Sequence, residues 1–340
     1  IVAAFGLLNS FEPMTHDQFE TIYKYDAVVV PKDSGSADNL SFLTDTLDKN
    51  SNVKHSMLVS QQECTVTHGS KVKDSDTNLV VPQNPEKFDE IVSLHTRKGK
   101  EELKLSDSGV MLSEKMCSEL GIKTGDKITL NVDGKKAEVK VSGIFEQYIY
   151  NFVYMTPTAY KSLFGSDCTY NMADVALKDT SDSACDKFGS QVLSDDKIAA
   201  VSYIASSLNE FKNMLNSLDM VVTVMIICAA ALAFVVLYNL TNINIAERVR
   251  EIATFKVLGF YNRETSSFIY KENIILTLLG IFVGLFLGNL LTGFIIQTVE
   301  VDNVMFGRDI YFTSYLYAAG LVMSFKIKAV NMVESLKSVE

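Results

Sequence analysis

Two stretches without a single charged residue constrain this 340-residue chain more than any other feature. Residues 220–240, MVVTVMIICAAALAFVVLYNL, and residues 274–296, IILTLLGIFVGLFLGNLLTGFII, run for 21 and 23 residues. At ~1.5 Å of rise per residue the first reaches about 31 Å as an α-helix, the thickness of a bilayer core. Core helices of soluble domains rarely hold more than ~14 uncharged residues in a row, so both stretches read as spanning helices.

The charge distribution separates the chain into two unlike parts. Residues 1–219 hold 22 Lys and Arg against 32 Asp and Glu, whereas residues 220–340 hold 9 of each, so the whole net charge of -10 belongs to the first part. An acidic, soluble domain therefore precedes a membrane-embedded region. Residues 311–325, YFTSYLYAAGLVMSF, form a shorter apolar run of 15 residues ahead of Lys326 and read as a partial fourth span. The opening IVAAFGL, residues 1–7, has no basic flank and no cleavage site; it reads as the tail of an earlier spanning helix. Residues before position 1 and within the last helix are expected to be missing.

Positive charge sets the topology. Between the long spans, residues 241–273 carry Arg248, Arg250, Lys256, Arg263 and Lys271, and the tail at 326–340 carries Lys326, Lys328 and Lys337, while residues 297–310 have only Arg308. Short loops rich in Lys and Arg stay in the cytoplasm, which puts 241–273 and 326–340 inside. The α+β domain at 8–206 and the short loop at 297–310 fall outside, on a multi-pass protein of the cell membrane.

The cytoplasmic stretch at 242–260 reads NINIAERVREIATFKVLGF. Ile245, Val249, Ile252, Phe255 or Lys256, and Gly259 recur at three- and four-residue steps, the pattern of an amphipathic helix closed by glycine. Glu247 and Glu251 stand four apart, with Arg248 and Arg250 beside them. A helix that only rests on lipid headgroups needs basic residues alone; a balanced mixture of charge suits a protein surface. Both readings stay open on composition.

The same residues carry a resemblance. NINIAERVREIATFKVLGFYNRET followed by an apolar span resembles the signature of the FtsX-like permease family, the membrane subunits of MacB-type ABC transporters. The matching positions are Asn239, Asn242, Glu247, Arg248, Arg250, Glu251, Ile252, Ala253, Lys256, Leu258 and Gly259, and the closing MVESLKSVE is also similar. The resemblance covers roughly residues 205 to 340. It implies four spanning helices per protomer with the large outside domain between the first and second, the first mostly absent here and the last one short. It also implies that Glu247, Arg248, Arg250, Glu251, Ile252, Lys256 and Gly259 belong to a coupling helix that docks on a separate cytoplasmic ABC ATPase. The chain has no G-x-x-x-x-G-K-[ST] phosphate loop, so ATP and Mg would be bound by that partner, and no enzymatic activity of its own is expected. A second permease unit, in a homodimer or pseudo-dimer, is the other implied partner, along with the bilayer.

Further positions support this organisation. Gly280, Gly284 and Gly288 put small residues on one helical face, where another helix can approach closely. Ser207 and Glu210 form a capping box ahead of an apolar stripe of Leu208, Phe211, Leu215 and Leu218, which predicts a stalk at 207–240 continuous with the second span. In the family such a stalk passes ATP-driven motion outward, called mechanotransmission.

In the outside domain, residues 26–30 predict a strand and 39–50 a helix. A helix closed by Gly121 is followed by alternating Ile128, Leu130 and Val132, an Asp133-Gly134 turn, and a return strand with Ala137, Val139 and Val141. This module loosely resembles the outside domain of MacB-like permeases.

His16, His55, His68 and His95 show no metal-ligand spacing, and no catalytic, cofactor or metal residue is assigned. Cys64, Cys117, Cys168 and Cys185 are even in number without a framework spacing, which leaves disulfides open, and Cys228 reads as a small apolar residue in a span. There is no basic surface interleaved with aromatics for nucleic acid. The functional expectation is export or extracellular handling of a peptide, antibiotic or lipid-linked substrate. Alternatives are antimicrobial-peptide sensing or resistance, regulation of a cell-wall hydrolase, and, outside ABC systems, an extracellular receptor with a cytoplasmic docking loop.

Overall fold

The computed structural model describes residues 2–33, 36–74, 76–257, 262–300, 304–307 and 320. The chain divides into two compact units, one of Ile1–Glu12, Met214–Val299 and Phe306–Glu340, the other of Pro13–Asn213 and Glu300–Met305.

The architecture of the second unit follows from one long strand. The described residues form ten strands: β1 Ala27–Pro31, β2 Val53–His68, β3 Lys71–Lys73, β4 Thr77–Pro82, β5 Val110–Ser113, β6 Lys127–Val132, β7 Lys135–Phe145, β8 Asn151–Tyr154, β9 Met172–Leu177 and β10 Ile198–Tyr203. At 16 residues β2 is too long to stay flat, because strands twist as they extend. It changes partners along its length: residues up to Glu63 pair with β9 and β4, whereas Cys64 to Thr67 pair with β6. The strand path β2-β4-β8-β5-β7-β6 thereby returns to β2 and closes a ring. Val66, Leu79, Val81, Leu112, Leu130 and Val141 fill it.

The other half of β2 anchors an antiparallel lobe in the order β10-β1-β9-β2. Helices α2 (Ala37–Lys49) and α5 (Asp182–Leu193) cover one face, with Leu43, Leu47, Phe188 and Val192 packed on Ala27, Val29 and Val175. Strands and helices thus share one α+β unit, as the sequence indicates.

Local signals account for the connections. Helix α3 (Glu114–Leu120) ends at Gly121, whose φ of 72° is left-handed, and the Ile122 N–H returns to Cys117 O at 2.9 Å. The expected strands with Ile128, Leu130 and Val132 are β6, all three buried, and the hairpin to β7 turns through Asp133 and Gly134 at φ 48° and 79°. Two positive φ values in a two-residue loop match the right-handed twist of the strands it joins. Helix α4 (Pro157–Phe164) starts where Thr156 Oγ1 accepts the Ala159 N–H, with proline in the first turn.

Helix α1 (Val2–His16) runs well past residue 7, and a π-helical turn, Asp17–Ile22, continues it. Helix α6 (Ile204–Val257) is a single helix of 54 residues and α7 (Asn262–Val299) one of 38. Within them Ile204–Leu240 and Leu278–Ile296 are long and apolar enough to cross a bilayer. Their large apolar side chains face outward: Met220, Leu232, Phe282 and Phe294 are 73%, 66%, 74% and 67% exposed. Such surfaces, costly in water, are what a hydrocarbon surround requires. Of the expected fourth span at 311–325, only Gly320 falls among the described residues.

The stretch read as a short loop outside the membrane, 297–310, is described in part. Helix α7 occupies it to Val299, and Val304 then forms a β-bridge with Ile149 while the Met305 N–H donates to Tyr148 O at 2.7 Å.

Candidate functional site

The predicted stalk lies at the start of α6, and one part of its derivation is corrected by the structure. Strand β10 ends at Tyr203 and the helix begins at once, with the Ile204 N–H donating to Asp26 O at 2.9 Å. Ser207 and Glu210 are therefore exposed residues inside the helix and not its capping box, since the helix starts at Ile204 and its first donor is already satisfied by the Asp26 carbonyl. Of the stripe, Leu208 and Phe211 are half-buried and Leu215 is buried; the Leu218 side chain lies outside the described ones. The Phe211 ring meets that of Phe19 on the π-helical turn, centroids 6.2 Å apart.

Glu247, Arg248, Arg250, Glu251, Ile252 and Lys256 all lie on α6, and their side chains are outside the described ones. Gly259 lies outside the described residues altogether. Helix α6 runs without a break past residue 240 to Val257, so the part of this segment up to Val257 lies on it.

Within the helical unit the glycine stripe is only partly engaged. A Cβ added to Gly280 or Gly284 would meet nothing within 4 Å. Gly288 O accepts Thr292 Oγ1 at 2.7 Å, and Thr292, one turn further on and fully buried, is the residue that meets another helix. A Cβ on Gly6 of α1 would lie 2.6 Å from Thr292 Cγ2. The small-residue face thus reads on to Thr292, four residues beyond the last glycine.

Sequence reasoning missed a buried polar cluster in the strand-bearing unit. Glu146, at the end of β7, is 1% exposed. Lys100 Nζ donates to its Oε2 at 2.7 Å and the Tyr148 hydroxyl donates to Oε1. The buried His95 places Nε2 2.9 Å from Oε2 without the alignment of a full hydrogen bond. Burial opposes ionisation of Glu146, but the contacts from His95, Lys100 and Tyr148 outweigh it and hold the carboxyl down at about 2. Lys100 also reaches Asp17 at 3.4 Å, and Gln18 Oε1 accepts the Tyr148 N–H at 2.8 Å, so the cluster grips the π-helical turn. The run FEQYIY, with an acid and an amide between aromatic residues, was the available signal.

A second buried acid, Asp174, interrupts the apolar run of β9. Burial alone pushes its carboxyl up to about 7. Elsewhere His55 pairs with Glu90 at 3.1 Å beside a cavity of about 350 Å³. Another cavity, of about 440 Å³, has Phe88, Val92 and Leu103 among its walls and Lys24, Asp89 and Glu102 at its edges. Cys64 and Cys117 are buried and unbridged, with burial raising both thiols to about 12; Cys168, Cys185 and Cys228 are likewise unbridged. Among the described residues no group of three or more His, Cys, Asp or Glu is placed to hold a metal ion.

Comparison with known proteins matches both parts of the chain. The MacB-like periplasmic core domain model matches residues 1–184, and the FtsX-like permease C-terminal model matches residues 223–327. Among solved structures, the chain is similar to the periplasmic region of MacB from Actinobacillus actinomycetemcomitans at 13% identity and a TM-score of 0.36, covering 59% of this chain and 97% of that one. It is also similar to the extracellular domain of the noncanonic ABC-type transporter YknZ from Gram-positive bacteria, at 14% identity and a TM-score of 0.33, covering 53% and 98%. No curated protein sequence matches.

Proposed function

This chain belongs to the family of FtsX-like permeases with a MacB-like periplasmic core domain, and we propose that it is the membrane subunit that turns ATP hydrolysis by a separate cytoplasmic ATPase into movement of its extracytoplasmic domain. Permeases of this family are membrane-bound and work with cytoplasmic ABC ATPases. The observation that carries the reading is α6. One uninterrupted helix leaves β10, includes a bilayer-length apolar segment and continues through Glu247, Arg248, Arg250 and Glu251. A helix hydrogen-bonded along its whole length resists bending, so displacement at one end is delivered to the other.

In this reading the segment around Glu251 docks on the ATPase, residues 8–206 work outside the membrane, and ATP and Mg stay with the partner. The chain needs no catalytic residue of its own. The handled molecule is a peptide, an antibiotic or a lipid-linked compound.

Co-purification of the complete permease with its candidate ATPase tests the proposal, followed by ATP turnover of the wild type and of Glu251→Arg. The complex is expected to form, and the reversed charge to dissociate it or to uncouple its turnover. Failure of any ATPase to bind, or an unaltered Glu251→Arg complex, contradicts it.

A further inference from the structure

The chain after α7 is fastened into the strand-bearing unit more firmly than a connecting loop requires. Val304 and Met305 are 8% and 0% exposed. Val304 forms an antiparallel bridge with Ile149, and the Met305 N–H donates to Tyr148 O at 2.7 Å. The Val304 carbonyl accepts Lys115 Nζ at 2.8 Å, from a lysine side chain only 5% exposed and 3.7 Å from Glu119 Oε1. An ammonium group is costly to bury unless it is well partnered. Apolar packing alone would hold a passive loop.

The attachment point is shared. The other backbone group of Tyr148, its N–H, donates to Gln18 Oε1 at 2.8 Å, and Gln18 lies on the π-helical turn that continues α1. Next to it Gln147 Nε2 donates to the Tyr23 hydroxyl at 2.9 Å, just past the same turn. Two segments entering this unit, one continuing α1 and one following α7, are therefore bonded to opposite sides of a single residue. Glu146, with its fixed carboxylate, stiffens the start of this segment.

We propose that Val304 and Met305 are a tie through which α7 acts on the extracytoplasmic unit at Tyr148, and that Lys115 is a positioning residue that holds the tie in place. The inference rests on the reading of the chain as a transmitter of ATPase-driven motion. On it α6 is not the sole path, because displacement of α7 relative to α1 is applied across the two backbone bonds of Tyr148. That strain reaches β7 and β8, which flank the 146–149 segment.

The test uses the complete permease with its ATPase in lipid nanodiscs and follows backbone amide exchange with and without ATP. Two variants are compared with the wild type: Lys115→Met, and an insertion of four glycines between Val299 and Glu300. In Lys115→Met the Met305 amide is expected to exchange about tenfold faster, with loss of the ATP-dependent change at 146–149. The insertion is expected to keep Met305 protected but lose the same change, since it adds slack without touching the contacts. A Met305 amide that stays protected in Lys115→Met, or an intact ATP-dependent change in the insertion variant, overturns the tie alone. A wild type that shows no ATP-dependent change anywhere in the unit overturns both the tie and the reading beneath it.

Discussion

Lys100 Nζ lies 2.7 Å from Glu146 Oε2 while the Tyr148 hydroxyl occupies Oε1, so a carboxylate that is 1% exposed has both oxygens engaged. The pair joins the loop at 95–100 to the segment beneath the π-helical turn, two regions with no sequence proximity.

Glu146→Gln is expected to lower stability at neutral pH by about 1–3 kcal/mol, the cost of weakening hydrogen bonds to a buried charged group. The folded carboxyl is held near 2 against an ordinary 4.5. Its stabilisation is therefore complete above about pH 4.5 and disappears as pH falls towards 2. Urea unfolding at pH 7 and pH 3 should show the gap between wild type and variant narrowing at the lower pH.

Asp174 gives the opposite sign. With its carboxyl raised from 3.8 to about 7, the folded state holds a proton that the unfolded chain releases. Stability falls as pH rises between those values, by at most ~1.4 kcal/mol per unit. Asp174→Asn should match the wild type near pH 4 and exceed it at pH 8, as read from unfolding midpoints.

Helix packing is testable at Gly6 and Thr292. Gly6→Ala brings a Cβ to 2.6 Å from Thr292 Cγ2, which cannot swing away easily because Thr is stiff at χ1. A loss of about 1–3 kcal/mol is expected, recovered in large part when Thr292→Ala is added. Gly280→Ala, with nothing within 4 Å, should leave the melting temperature nearly unchanged in the same detergent.

The closed strand ring depends on its inward residues. Leu130→Ala should cost about 2–5 kcal/mol, whereas Thr129→Ala, on the half-buried side of the same strand, should cost under about 1 kcal/mol. Denaturant midpoints of the complete chain compare the two.

Features written in adjacent residues were the ones legible in the sequence. The Asp133-Gly134 turn between alternating strands, the Gly121 helix end and the two uncharged stretches each carry their own local cause. Strand β2 was not read, because Gln61, Gln62 and Glu63 interrupt its apolar pattern where it changes partners. The capping box at Ser207 and Glu210 had the right spacing in the wrong place, since Asp26 had already satisfied the helix start. The Glu146 cluster and the Val304 tie depend on partners far away in sequence; Lys115 and Val304 are 189 positions apart. Such pairings are set by tertiary structure and leave no periodic trace.

The central claim is that α6 carries motion as one rigid piece. Lys212, exposed on its surface, is a place to interrupt it: Lys212→Pro removes a helical hydrogen bond and kinks the chain. In the complete permease bound to its ATPase, the spacing of two spin labels, one in each lobe of the extracytoplasmic unit, is followed during ATP turnover. The account predicts an ATP-dependent change in the wild type that is strongly reduced in Lys212→Pro while ATP is still hydrolysed. The same change in both proteins would contradict it.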